Sequence, residues 1–155
     1  MEFKIEQVAI CAADTLAAME LLRDMGLTDW VEDRVTAEGT VQGHADEQEN
    51  EAVLRFNYSA FEGRELEVLE YKRGPNWMEQ YPSRVSHLGM HCTAEELEAW
   101  RAFFADRRIP VAQEVDTISH TNPYVNPEGY KYCIFDTWPI LGVDVKFIVR
   151  RGVDE

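Results

Sequence analysis

The chain has 155 residues, of which 15 are lysine or arginine and 29 are aspartate or glutamate, so its formal net charge is −14 at pH 7. This length suits one globular unit that folds without disulfides or a structural metal. The negative charge argues against nucleic acid and against an anionic membrane surface, since both attract cationic patches. We therefore expect a small-molecule partner.

The cysteines and the N-terminal segment bear on the compartment. Cys11, Cys92 and Cys133 lie in apolar strand patterns without C-x-x-C spacing, which indicates reduced core thiols and a cytoplasmic location. No basic region precedes an apolar run at the N-terminus, and no stretch of about 18 apolar residues occurs. The sequence therefore predicts a soluble protein that is not exported.

The first half of the chain predicts a strand, a helix and three further strands. Asp14 is placed to cap the helix and Gly26 to end it. The run GHADEQENE is acidic and poor in apolar residues, which indicates a solvated loop. In order, we expect a strand at 5–12, a helix at 15–25, and strands at 30–40, 52–59 and 65–72.

The second half predicts the same order. Thr93 and Glu96 form a T-x-x-E capping box before its helix, and Pro110 closes that helix. HTNPYVNPEG is a turn-rich loop, and TWPILG is predicted as a turn. The expected strands are 85–92, 111–119, 130–136 and 143–150. We therefore infer a single α+β domain, 1–155, built as one βαβββ unit written twice, with modules at 1–72 and 85–155 and a connector at 73–84.

The alternation of side chains along four of these strands predicts a polar centre. Two such modules can place four-stranded sheets side by side around a cavity, with the helices outside. Because side chains alternate along a strand, every second residue faces inward, and on four of the strands one of these inward residues is polar among apolar neighbours. These residues are Gln7, Glu67, His87 and Lys146.

Four motifs at matching spacing give a resemblance to a known family. They are QVAI in the first strand, SHLGMH at the start of the second module, LEVLEY in the fourth strand and GVDVKFI in the eighth. With this layout, the chain resembles the vicinal oxygen chelate superfamily, also called the glyoxalase, bleomycin-resistance and dioxygenase fold. The resemblance implies paired βαβββ modules forming an eight-stranded open barrel-like sheet, and a homodimer.

The resemblance also implies a metal site, which this sequence only partly matches. Metal-dependent members bind one divalent cation through His or Gln, Glu, His and Glu, at the positions here held by Gln7, Glu67, His87 and Lys146. A protonated lysine has no lone pair and repels a cation. At about 4 Å and an effective dielectric of about 20, an ion pair gains about 4 kcal/mol before desolvation. We therefore expect Lys146 to pair with Glu67, and we favour no metal and no other cofactor.

Alternatives remain open at several positions. A shifted register or a bulge would let Asp144 supply the fourth ligand of a zinc, nickel, manganese or iron site with Gln7, Glu67 and His87. His91 lies about 13 Å along the strand from His87, too far to share one ion but within reach of the pocket. His120 lies in a loop that we expect to fold over the cavity mouth.

The sequence supports three functional hypotheses. The first is a protein that binds a small aromatic or anionic molecule in the central cavity, anchored by Lys146 and His87, with Tyr71, Tyr132 or Phe135 as the apolar wall. The metal-free drug-sequestering members of the superfamily provide the analogy. The second is a metal-dependent lyase, isomerase or dioxygenase. The third is a structural module, which a cavity filled by its own side chains would indicate.

Overall fold

The computed structural model describes residues 1–62, 64–75, 86–119 and 129–154, and within them the predicted order of elements is present twice. None of the helices in these ranges is long and apolar enough to cross a membrane. The elements are β1 (Gln7–Cys11), α1 (Thr15–Asp24), β2 (Trp30–Val41), β3 (Gln48–Phe61), β4 (Arg64–Arg73), β5 (His87–His91), α2 (Ala94–Asp106), β6 (Val111–Ser119), β7 (Tyr130–Phe135), α3 (Trp138–Leu141) and β8 (Asp144–Arg150).

The eight strands form a barrel in the order β1-β4-β3-β2-β6-β7-β8-β5, and β5 returns to β1. The predicted fold class is confirmed, but the sheet is closed, where an open one was expected. β2 pairs with β6 from Val35↔Ser119 to Val41↔Gln113, and β1 pairs with β5. Closure follows because both junctions then satisfy backbone groups that an open edge would leave unpaired.

Two local predictions are wrong. β3 begins at Gln48, inside the segment predicted as a solvated loop. The charged residues there alternate with a buried one: Asn50 is fully buried, while Glu49 and Glu51 point outward. Their carboxylates form ion pairs with the Arg73 guanidinium at 2.5 and 2.8 Å. The predicted turn TWPILG contains the one-turn helix α3, which has a proline in its first turn, a position that suits proline's fixed φ.

The helices lie outside the barrel, as expected. The predicted capping box is present, with the Glu96 backbone N–H donating to Thr93 Oγ1 at 3.1 Å and the Thr93 N–H donating to Glu96 Oε2 at 2.9 Å. α2 then packs Trp100 and Phe104 against the outer faces of β7 and β8. This packing leaves the opposite faces of the same strands to line the barrel.

Candidate functional site

Four neighbouring strands bring the predicted polar residues together. In the barrel order, β4, β1, β5 and β8 are adjacent, and they contribute Glu67, Gln7, His87 and Lys146 respectively. The register places Gln7 opposite Gly89, and Gly89 opposite Lys146. Each of the four residues is at most 5% exposed. Strand alternation, together with this strand order and register, therefore brings the four side chains to one buried region of the barrel.

The Gln7 carboxamide lies at the centre of this group. Its Oε1 lies 2.9 Å from His87 Nε2 and accepts from Lys146 Nζ at 3.5 Å. Glu67 Oε2 lies 3.9 Å from His87 Nε2 and 4.0 Å from Lys146 Nζ. The ammonium group thus lies beside Glu67, in the arrangement expected for their ion pair.

Burial and the neighbouring charge affect the pKa of Glu67 in opposite directions. Burial raises the pKa of the Glu67 carboxyl, and the positive charge of Lys146 opposes that rise. Lys146 Nζ also lies 4.6 Å from the centroid of the Tyr132 ring, a cation–π distance. The ammonium therefore has favourable contacts on two sides.

The residues present do not fit a divalent cation. Lys146 Nζ lies within 4.0 Å of both Gln7 Oε1 and Glu67 Oε2, so a positive charge already stands among the oxygens that would bind the ion. Asp144 does not replace it, because β8 keeps a continuous register against β5 from His87↔Asp144 to His91↔Ile148. Asp144 Oδ1 instead accepts from the Trp138 backbone N–H at 3.1 Å.

The barrel interior is nearly filled by its own side chains. The cavity beside Lys146 has a volume of about 20 Å³, and it is lined in part by Tyr71, Tyr130 and Tyr132. A cavity needs about 10–15 Å³ to hold one water, so this space suits a single water and no organic molecule. Phe135, predicted as a wall residue, lies on the outer face and stacks on Phe104 at 4.2 Å.

A larger pocket opens at one mouth of the barrel. Its volume is about 320 Å³, and Lys146 and Tyr130 separate it from the interior cavity because they line both spaces. Tyr71, which we predicted as a binding residue, lines only the inner space. The mouth pocket is lined by Gln7, Phe56, Tyr58, Glu65, His91, Tyr130, Lys146, Ile148 and Arg150.

Glu65 is a pocket residue that sequence reasoning missed. Gln7 Nε2 donates to Glu65 Oε1, so the same amide contacts both Glu65 and Lys146. Burial and, less strongly, the nearby Glu67 carboxylate raise the pKa of Glu65 to about 7. The signal was present, because Glu65 is two residues before Glu67 and therefore on the same face of β4.

His91 lies at the mouth and apart from the central four, as the distance along β5 predicted. Its backbone N–H donates to Glu6 Oε2 at 2.7 Å, and its Nδ1 lies 3.2 Å from the same oxygen. Burial and Arg150 lower the pKa of His91. Arg150 forms an ion pair with Asp154 at 2.7 and 2.9 Å. His120 lies outside the described residues.

Comparisons with known proteins give the fold. No protein-family model matches this sequence, and no curated protein matches it. A variant of the Streptomyces coelicolor methylmalonyl-CoA epimerase in complex with 2-nitronate-propionyl-CoA has a similar structure, with a TM-score of 0.53 and 14% identity over 97% of this chain and 96% of that chain. A hypothetical protein from Bacillus halodurans C-125 reaches a TM-score of 0.54 at 9% identity, over 98% and 97% of the two chains.

A methylmalonyl-CoA epimerase in complex with methylmalonyl-CoA and NH4+ is also similar, with a TM-score of 0.50 and 14% identity over 97% of this chain and 96% of that chain. These likenesses extend over nearly the whole length of each protein. The chain therefore shares the fold of these proteins, which here consists of paired βαβββ modules in an eight-stranded barrel.

Proposed function

We propose that this protein binds a small organic anion in the mouth pocket, with the Lys146 ammonium as its fixed positive charge in place of a metal ion. The observation that carries the proposal is the position of Lys146, whose Nζ lies near the oxygens of Gln7 and Glu67 and which is one of the residues lining the pocket. We place the binding site in the mouth pocket and not in the interior cavity that the sequence suggested. The interior cavity, at about 20 Å³, is too small for an organic molecule, whereas the mouth pocket, at about 320 Å³, can hold one.

Charge and shape support this choice. Lys146 has three N–H donors, of which one is used by Gln7 Oε1 at 3.5 Å, while Glu67 lies 4.0 Å away as an ion-pair partner beyond hydrogen-bond distance, so the ammonium keeps donors for a ligand. Aromatic rings of Phe56, Tyr58 and Tyr130 line the same pocket and suit an apolar or aromatic body. The volume is near the lower end of the range for small-molecule pockets, which favours a compact ligand.

The test uses 3-phenylpropionate as the probe and EDTA-treated protein. Calorimetric titration of wild type should show binding, and a Glu67→Gln/Lys146→Met double variant should bind about 10-fold or more weakly, because a hydrogen bond to a charged group is worth about 1.5–3 kcal/mol. The double variant leaves no unpaired carboxylate in the interior. Lys131→Met is the matched control, since Lys131 is an exposed lysine on β7. Equal affinity in all three proteins would refute the proposal.

A metal-dependent lyase, isomerase or dioxygenase is the second candidate, favoured by the convergence of Gln7, Glu67 and His87. It requires Lys146 Nζ to withdraw from these atoms. Elemental analysis of the purified protein distinguishes the two: stoichiometric metal that is lost in Glu67→Ala would support the enzyme and contradict our proposal. The homodimer and the cytoplasmic location stay predictions, and light scattering tests the first of them.

A further inference from the structure

The mouth pocket has two chemically different walls. β8 supplies Lys146 and Arg150 on one side, while β3 and β4 supply Phe56, Tyr58 and Glu65 on the other. Strands β1 and β5 separate these walls in the barrel order on this side. A ligand that fills the space therefore contacts positive and negative groups at once.

The Gln7 amide fixes how the two walls face each other. Its Nε2 donates to Glu65 Oε1, and its Oε1 accepts from Lys146 Nζ at 3.5 Å. The nitrogen and oxygen of one amide are bonded to the same carbon, so the carboxyl of Glu65 and the ammonium of Lys146 flank a single planar group. Gln7 is 3% exposed and is also held by His87, so this spacing is built into the barrel wall.

The other charged groups of the pocket already have partners. Arg150 donates to both carboxylate oxygens of Asp154, and Asp154 Oδ2 also accepts from the Arg150 backbone N–H at 3.0 Å. His91 is held by Glu6. Among the charged pocket residues that the structure describes, Lys146 and Glu65 differ from these two because their partner at hydrogen-bond distance is the neutral Gln7 amide, which leaves donors of Lys146 and the second oxygen of Glu65 for a ligand.

The rim adds an apolar contact surface beside Glu65. Phe56 and Tyr58 stack with their ring centroids 6.2 Å apart and their planes 19° apart. Tyr58 is 46% exposed, while Phe56 is buried beneath it. A ligand whose charged end contacts the groups beside Gln7 could therefore pack an apolar substituent against these two rings.

We propose that the ligand belongs to the amino-acid class, a small zwitterion whose carboxylate contacts Lys146, whose ammonium contacts Glu65, and whose apolar or aromatic substituent packs on Phe56 and Tyr58. This inference rests on the proposed function and adds Glu65 to it as a specificity residue. A molecule with only one of the two charges leaves the opposite wall group desolvated without a partner, which lowers its affinity.

The experiment compares three probes that share one phenyl ring and one two-carbon chain. L-phenylalanine carries both charges, 3-phenylpropionate lacks the amine, and 2-phenylethylamine lacks the carboxylate. Calorimetric titration of wild type at pH 8 should show phenylalanine binding at least about 10-fold more tightly than either analogue. Glu65→Gln should reduce the affinity for phenylalanine to about that for 3-phenylpropionate, and Glu38→Gln, an exposed glutamate on β2, should not.

The outcomes separate this inference from the proposed function. Equal binding of phenylalanine and 3-phenylpropionate would overturn the zwitterion and leave the anion site standing. Tightest binding of 2-phenylethylamine would overturn both, as would the absence of binding by all three probes at millimolar concentration. A phenylalanine preference that survives in Glu65→Gln would overturn the role of Glu65.

Discussion

Replacing the buried ammonium by a carboxylate tests the geometry of the centre most directly. In Lys146→Glu, the attraction between Lys146 and Glu67 across 4.0 Å is replaced by repulsion between two carboxylates. Like charges at about 4 Å and an effective dielectric of about 20 repel by about 4 kcal/mol, and breaking a buried pair costs about 3–5 kcal/mol. We therefore expect the free energy of unfolding to fall by several kcal/mol at pH 8 in EDTA.

A divalent cation should reverse this loss. The variant offers Gln7 Oε1, His87 Nε2, Glu67 Oε2 and the introduced carboxylate, which together match the ligand set implied by the resemblance to the vicinal oxygen chelate superfamily. Nickel, zinc or manganese at 100 times its dissociation constant should add about 2.7 kcal/mol to the free energy of unfolding. The assay is urea unfolding followed by circular dichroism, with and without each metal, together with elemental analysis after dialysis.

The matched control is Lys131→Glu, which makes the same change of charge on the exposed face of β7. It should show no metal-dependent stabilisation. If Lys146→Glu is unfolded without metal, adding metal should restore its folded spectrum. A variant that neither binds metal nor gains stability from it would show that these four side chains do not converge as described.

Four further predictions test other parts of the structure. Burial and, less strongly, the Glu67 carboxylate raise the pKa of Glu65 from its ordinary value of 4.5 to about 7, so the stability that this group contributes is fully present below pH 4.5 and is lost as the pH rises through 7. The unfolding free energy of wild type minus that of Glu65→Gln should therefore fall by up to about 3 kcal/mol between pH 4 and pH 8 in urea titrations, and a constant difference would contradict the shift. Gly89→Ala would place a methyl group 2.9 Å from Gln7 Oε1, so it should displace that amide and weaken probe binding in calorimetry, and unchanged affinity would refute this. Phe135→Ala should lower the free energy of unfolding by about 3–5 kcal/mol without changing the affinity for the probe, and a weaker affinity in the folded variant would contradict the placement of Phe135 outside the site. Thr93→Ala should cost about 1 kcal/mol through loss of the helix cap, and an unchanged urea midpoint would argue against the cap.

The sequence predicts most of the fold because its signals are local. Alternation along the strands and the capping box at Thr93 and Glu96 act over a few residues, and the structure has them where they were expected. The start of β3 was missed because its inward residue, Asn50, is polar, so the segment reads as a loop. One-turn α3 is too short to show a helical period.

The site was predictable in its residues but not in its volume. The alternation of side chains along the strands predicts the four central residues, Gln7, Glu67, His87 and Lys146. The same alternation also puts Glu65 and Arg150 on the inward faces of their strands, so it could have predicted them as well. The pairing of β2 with β6 joins residues far apart in sequence, which no local pattern reports. The size of the interior depends on how Tyr130 and its neighbours pack, and that is decided only in three dimensions.

The two halves of the chain complete each other's sheets at two junctions, between β1 and β5 and between β2 and β6. β1 and β2 are the outer strands of the first half, and in the barrel each gains its second neighbour from the other half, through β5 and β6. A fragment ending after β4 would therefore expose two rows of unsatisfied peptide groups, which recruit foreign strands. Duplication of such a half thus gives each copy the partner that shields it, and splitting the chain would remove that protection from both.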